Sequence, residues 1–146
     1  LSYDAESFDG AIEACVLQHL DKRSRRKAYR EIARVLKPGG LFVGYCLMRS
    51  DDIFLANKHR QVKDDPATIV LKNKKCAPGL LQNIGLTHFF TREELIALLP
   101  GFSMELLPTT NTVPSAEAKR RGFGRAYVNA FWTVYAIKNR RRASAR

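Results

Sequence analysis

The chain predicts an α/β fold organised around a mostly parallel sheet that closes on an antiparallel strand pair, and three observations carry the prediction. Phe8 to Cys15 and Leu41 to Leu47 are apolar, strand-like runs joined through short links by a segment of helical period. A strand, helix, strand unit of this kind is a parallel crossover, right-handed by the general rule. The last long apolar run, Ala126 to Ile137, follows a shorter one at Phe102 to Leu107, which predicts an antiparallel pair across the intervening loop. With 146 residues, 45% of them apolar, there is material for one packed domain or a large piece of a bigger one, and disordered and fibrous classes are excluded.

The first segment, Phe8-Asp9-Gly10-Ala11-Ile12-Glu13-Ala14-Cys15, starts soon after an N-terminus that is Leu1 rather than Met. It reads as an interior strand of a parallel sheet, with Ile12 covered and with partners upstream of Leu1. The next segment opens on polar Asp21 to Ser24 and places Ala28, Ile32, Val35 and Leu36 on one helical face. Arg23, Arg26, Lys27, Arg30 and Arg34 fall on the other face. Lys37-Pro38-Gly39-Gly40 ends the helix and reverses the chain, because Pro disfavours helix before it and Gly permits left-handed backbone. A short helix is expected to begin near Asp51 or Asp52. Residues 61–88 show no sustained period and read as a long excursion holding one short strand, Thr68 to Leu71, and serving as a lid or substrate wall or as a plain insertion. Thr91-Arg92-Glu93-Glu94 fits a capping box, so a helix is expected over 92–99, stopped by Pro100-Gly101. The stretch 108–125 is polar and basic, and 139–146 (NRRRASAR) reads as a disordered basic tail.

The formal net charge of +11 favours anionic partners or surfaces without specifying a fold. Cys15, Cys46 and Cys76 form no CxxC pair and have no histidine couplet nearby, so they read as reduced thiols and no metal site is expected. No apolar run approaches the roughly 18 residues a membrane span needs, and the N-terminus lacks the basic-then-apolar order of a signal peptide. A soluble, cytoplasmic protein is expected on these grounds.

The segments Leu1-Ser2-Tyr3-Asp4-Ala5-Glu6-Ser7-Phe8-Asp9, Val16-Leu17-Gln18-His19-Leu20 and Arg30-Glu31-Ile32-Ala33-Arg34-Val35-Leu36-Lys37-Pro38-Gly39-Gly40, in this order and at these separations, resemble the class I S-adenosylmethionine-dependent methyltransferases. The resemblance is strongest over residues 1–47 and looser beyond, where the Thr91 to Leu95 helix start and the closing strands still follow the family's ending. It implies a Rossmann-like methyltransferase fold, three-layered, with a seven-stranded sheet. That fold carries a glycine-rich cofactor loop after its first strand and an acidic residue for the ribose at the end of its second. Neither is present: there is no G-x-G-x-G, and Gly122-Phe123-Gly124 lies in a late basic loop. The resemblance therefore implies an incomplete fold, with strands four to seven in residues 1–138 and the tail at 139–146.

By the same resemblance the cofactor is S-adenosyl-L-methionine, and Glu13, Ala14, Cys15 and Gln18 border its methionine part and sulfonium, with Leu1 and Ser2 near the adenine. The family often has His at the place of Gln18 and a small residue at that of Glu13, so these two depart from its pattern. Methyl transfer from a sulfonium asks chiefly for alignment and exclusion of water, so no triad is expected, and the residues nominate no catalytic base. The methyl acceptor is unidentified, with a small molecule favoured. Plainer readings stand beside these: Cys15 as a small buried hydrophobe, His19 capping or packing at the next helix, His59 in the variable excursion, His88 walling a pocket or packing, and Phe131, Trp132 and Tyr135 as core. Alternatives to catalysis are a non-catalytic methyltransferase-like partner subunit, or nucleic-acid binding through Arg25, Arg26, Lys27, Arg30 and Arg34 with Lys119, Arg120, Arg121 and Arg125. An unpaired edge on the first strand would leave the chain marginally stable or self-associating.

Overall fold

The computed structural model describes residues 1–72, 84–120 and 124–140. Strand β1 spans Phe8–Ala14. Helix α1, Lys22–Val35, starts where the Asp21 carboxylate accepts the amides of Arg23 (2.9 Å) and Ser24 (3.0 Å), satisfying two amides that have no partner within the helix. Strand β2, Leu36–Leu47, returns parallel to β1, with Ile12 opposite Val43. Its pairing slips between Phe8 and Gly10, which face Leu36 and Leu41, so Lys37 to Gly40 bulge out of the ladder. The two glycines are what this bulge needs. Gly39 has a φ of 83°, and a Cβ on Gly40 would meet the Lys37 carbonyl at 2.8 Å.

Helix α2, Asp52–Ala56, follows β2, and then come three short strands: β3 (Gln61–Val62), β4 (Asp65–Leu71) and β5 (Gly85–His88). They form an antiparallel sheet of their own in the order β3-β4-β5, where the sequence predicts one strand in an irregular excursion. β3 is two residues long and β5 has only Leu86 as an aliphatic residue, so neither presents a period-2 pattern. Cys76, Pro78 and Gly79 of the excursion lie outside the described residues.

Helix α3 (Arg92–Leu98), strand β6 (Phe102–Val113), helix α4 (Ser115–Arg120) and strand β7 (Tyr127–Lys138) complete the chain. The predicted closing pair is present, with Phe102 opposite Lys138 and Val113 opposite Tyr127. β6 runs on through the polar residues Pro108 to Thr112, which the sequence assigns to a loop; pairing with β7 holds them extended. Asn139 continues that pairing through its amide to the Gly101 carbonyl (2.9 Å), and residues 141–146 of the expected tail lie outside the described residues.

The main sheet has the order β1-β2-β7-β6. One face packs on α1 and α3 through Tyr29, Phe42, Phe90, Leu95, Val134 and Ala136. Leu47, Ile53, Phe54, Ile69, Leu71 and Phe89 make a second cluster that joins α2 and the small sheet to the end of β2. The other face of the main sheet carries Ile12, Leu41, Tyr45, Tyr135 and Ile137 exposed. Two expectations are corrected here. Ile12 is 83% exposed, because β1 is an edge strand whose outer face has no element against it among the described residues. Tyr135 is 41% exposed rather than core, since it shares that face.

Candidate functional site

β1 and β2 run parallel, and in such sheets ligands sit beyond the carboxyl ends of the strands. The end of β1 is built by Glu13. Its carboxylate, 5% exposed, accepts the amides of Val16 (2.5 Å) and Leu17 (2.9 Å) through one oxygen, folding the chain into the 3-10 turn Leu17–His19. To make that turn Cys15 adopts a left-handed φ of 57° while its amide donates to the Tyr45 carbonyl (3.2 Å). Ala14 and Cys15 are exposed at the tip. Cys15 is therefore not the small buried hydrophobe of the plainer reading, because the left-handed bend turns it out of the strand.

Gln18 is buried and bridges two elements. Its side-chain oxygen accepts the Leu47 amide (3.2 Å), which leaves its nitrogen to face His19 Nε2 (3.3 Å). His19 Nδ1 then donates to the Leu86 carbonyl of β5 (3.0 Å), an assignment made from the partners. Of the four candidate cofactor residues, Ala14 and Cys15 form an open tip, and Glu13 and Gln18 point inward and hold the turn beneath it. Leu1 is exposed and lines, with Leu17, Ala28 and Ile32, an open groove of about 390 Å³.

Neither described thiol is primed for attack. Partial desolvation of its sulfur, and after it the Glu13 charge, pushes the Cys15 thiol up even though the residue is exposed, and full burial followed by the Glu13 charge pushes up that of Cys46, which lies 3.8 Å from the Glu13 carboxylate. Among the described residues no cluster of His, Cys, Asp and Glu could hold a metal ion. No helix among the described residues is long and apolar enough to cross a membrane.

A second polar cluster lies where α1, the small sheet and α3 meet, and sequence reasoning missed it. Arg25, 1% exposed, donates to Asp65 (2.8 Å) and to the Leu20 carbonyl (3.0 Å). Thr68 donates to the same Asp65 oxygen (2.5 Å), and His88 bridges Thr68 (2.8 Å) and Glu94 (2.9 Å). Burial works against the Asp65 charge, but hydrogen bonds from Arg25 and Thr68 outweigh it and hold the carboxyl below its usual value. The available signal was the spacing of Arg25 four residues before Tyr29, on the buried stripe of α1. The proposed nucleic-acid face is corrected accordingly: Arg25 is internal and Arg34 is paired with Glu31 (2.9 Å), so Arg26, Lys27 and Arg30 are what α1 leaves of it.

Residues 1–44 match the family model described as a methyltransferase domain. No curated protein sequence matches the chain. Among solved structures, a SAM-dependent methyltransferase from Methanosarcina mazei is 19% identical at a TM-score of 0.66, over 97% of this chain and 64% of that one. This is the fold of the class I S-adenosylmethionine-dependent methyltransferases, incomplete. Another methyltransferase, from Thermotoga maritima, is 20% identical at a TM-score of 0.56, over 95% of this chain and 60% of that one. The YcgJ protein from Bacillus subtilis is 15% identical at a TM-score of 0.63, over 97% and 68%. The chain thus spans less than two thirds of the first two methyltransferase structures, and the family match covers β1, α1 and the start of β2, the segments that build the tip.

Proposed function

We propose that residues 1–138 are the C-terminal part of a class I methyltransferase domain, and that the whole domain transfers a methyl group from S-adenosylmethionine to a small-molecule acceptor. The observation that carries this reading is the tip of β1. It is open at Ala14 and Cys15, stands at the carboxyl end of parallel strands, and is braced from below by Glu13 and Gln18. The exposure of Ala14 and Cys15 leaves room for a ligand to lie along the backbone of the tip. The cofactor would supply an activated methyl on a sulfonium. The chain's own part is to seat the methionine end at Ala14 and Cys15 and to hold the turn still, so that the acceptor meets the methyl in line. The glycine-rich loop and ribose carboxylate belong to the part of the fold that these residues do not include, so the chain contributes one side of the cofactor site. A small-molecule acceptor is supported by the Thermotoga maritima neighbour, described as a possible histamine N-methyltransferase.

The experiment is an amide-resolved NMR titration of the chain with S-adenosylhomocysteine, accompanied by calorimetry. Shifts confined to Ser2 and Glu13 to Gln18, with affinity weaker than micromolar, are expected. Silence of those amides at millimolar ligand would reject the cofactor assignment, and micromolar binding would reject the view that the site is partial.

A further inference from the structure

We infer that Thr68 and His88 are positioning residues which fasten the small sheet β3-β4-β5 as a fixed wall beside the tip of β1; only what that wall faces rests on the methyltransferase reading. Thr68 has one hydroxyl hydrogen, and its oxygen lies 2.5 Å from an Asp65 carboxylate oxygen, a separation that needs a hydrogen between them. That hydrogen is therefore spent on Asp65, and the Thr68 oxygen can only accept from His88 Nδ1 at 2.8 Å. On the opposite side of the ring, Nε2 faces the Glu94 carboxylate at 2.9 Å. His88 thus links Thr68 to Glu94 through its two ring nitrogens, inside a cluster in which Arg25 faces the carboxylates of Asp65 and Glu94. Asp65 and Thr68 lie on β4, His88 on β5, Arg25 on α1 and Glu94 on α3, so each bond but the Thr68 to Asp65 one joins different elements. A second attachment, His19 Nδ1 to the Leu86 carbonyl, ties β5 to the turn that carries the tip. Held at two points, one buried around Asp65 and Thr68 and one part-buried at His19, the sheet is fastened on this side as a wall rather than a lid.

Thr68 is the residue to test, because Thr68→Val keeps the shape and removes the hydroxyl, whereas Thr68→Ser restores it. Hydrogen exchange read by mass spectrometry should accelerate about tenfold or more over 65–71 and 85–88 in Thr68→Val, as expected when a buried donor loses its partner. Exchange over β2 and β7 should change by less than about twofold, and Thr68→Ser should return to the wild-type pattern. The ring-nitrogen NMR signal of His19 supplies a positional readout: it should lose its Nδ1–H signature in Thr68→Val and keep it in Thr68→Ser. If Thr68→Val does not fold, His88→Gln, which keeps a donor toward Glu94 and drops the one toward Thr68, should give the same regional pattern. Unchanged exchange in the small sheet, a uniform acceleration through β2 and β7, or an unchanged His19 signal would overturn the inference. None of these readouts needs bound cofactor, so their failure is separable from failure of the S-adenosylhomocysteine titration.

Discussion

The two faces of the main sheet are written in the same alternating pattern and have opposite fates. On β2, Phe42 and Cys46 are buried under α1 and α3, and Leu41 and Tyr45, one residue away in each case, are exposed. On β7, Val134 and Ala136 are buried, and Tyr135 and Ile137 are exposed. Alternation therefore shows that both faces are apolar, and only the presence of a second layer decides which becomes core. The open face has the composition of an interior and the exposure of a surface, an arrangement that monomeric proteins rarely keep.

The largest expected effect comes from testing the covered face directly. Phe42→Ala removes a fully buried ring packed edge-on against Tyr29 at 6.0 Å, and should cost about 3–5 kcal/mol in urea unfolding. Tyr135→Ala on the open face should cost less, about 1–2 kcal/mol, because 41% of Tyr135 already meets water. Equal costs at the two positions would mean that the faces are packed alike, and the comparison would fail.

The next prediction asks whether the flank of β7 is sealed as tightly as its covered face. Asp51 caps α2 by accepting the Ile53 amide (2.8 Å) and reaches across to the Ala130 amide of β7 (2.9 Å). Burial pushes its carboxyl up to about 6, against the downward pull of those two amides. The folded value lies above the unfolded one, so the stabilisation linked to this proton is complete below about pH 4 and is lost as the pH rises through about 6. Asp51→Asn does not titrate. Its stability relative to wild type should therefore improve by about 2–3 kcal/mol between about pH 4 and about pH 7.5, superimposed on a constant loss of capping. A difference that stays flat over that range would show the carboxylate to be wetter than its surroundings imply.

Smaller again is the cap of α3, which supports the covered face through Leu95. Thr91 Oγ accepts the Glu94 amide (3.2 Å), and Thr91→Ala should cost about 1 kcal/mol in thermal unfolding. The reciprocal half of the expected capping box is not made to the same end, since the Glu94 carboxylate turns to His88. Replacing Glu94 should thus disturb β5 more than α3.

Glu94 illustrates what the sequence could and could not convey. Elements whose signals are local were legible: the β1-α1-β2 unit, the cap at Thr91 and the closing pair β6-β7. Lys37 to Gly40 reads in the sequence as the turn that ends the helix, whereas α1 stops at Val35 and these residues bulge within β2, whose pairing with β1 begins at Leu36. The location of the tip was legible through the spacing of the Val16 to Leu20 and Lys37 to Gly40 segments, and the order of its side chains was not. Glu13 and Gln18 were read as ligand contacts, yet their partners are the amides of Val16, Leu17 and Leu47, which only the folded turn brings within reach. The cluster around His88 was hidden for the same reason. The spacing of Arg25 and Tyr29 places Arg25 on the buried stripe of α1, but Asp65 stands forty positions away and nothing in its own segment announces the pairing.

The smallest change in stability should accompany the clearest change in association. Ile12 sits on the edge strand, 83% exposed, with Val43 and Tyr135 beside it across the open face. Ile12→Lys places a charge on that edge, a device by which natural sheets discourage further pairing, and should alter the unfolding free energy by less than about 0.5 kcal/mol. Sedimentation of the wild-type chain should show mass rising with concentration, and of Ile12→Lys a monomer over the same range. The pairing of these results matters more than either alone, because an unchanged unfolding curve shows that nothing in the chain itself leaned on Ile12. A wild-type chain that stays monomeric at every concentration would mean that water satisfies the open face and the β1 edge, and the case for a missing layer against them would lose its physical basis.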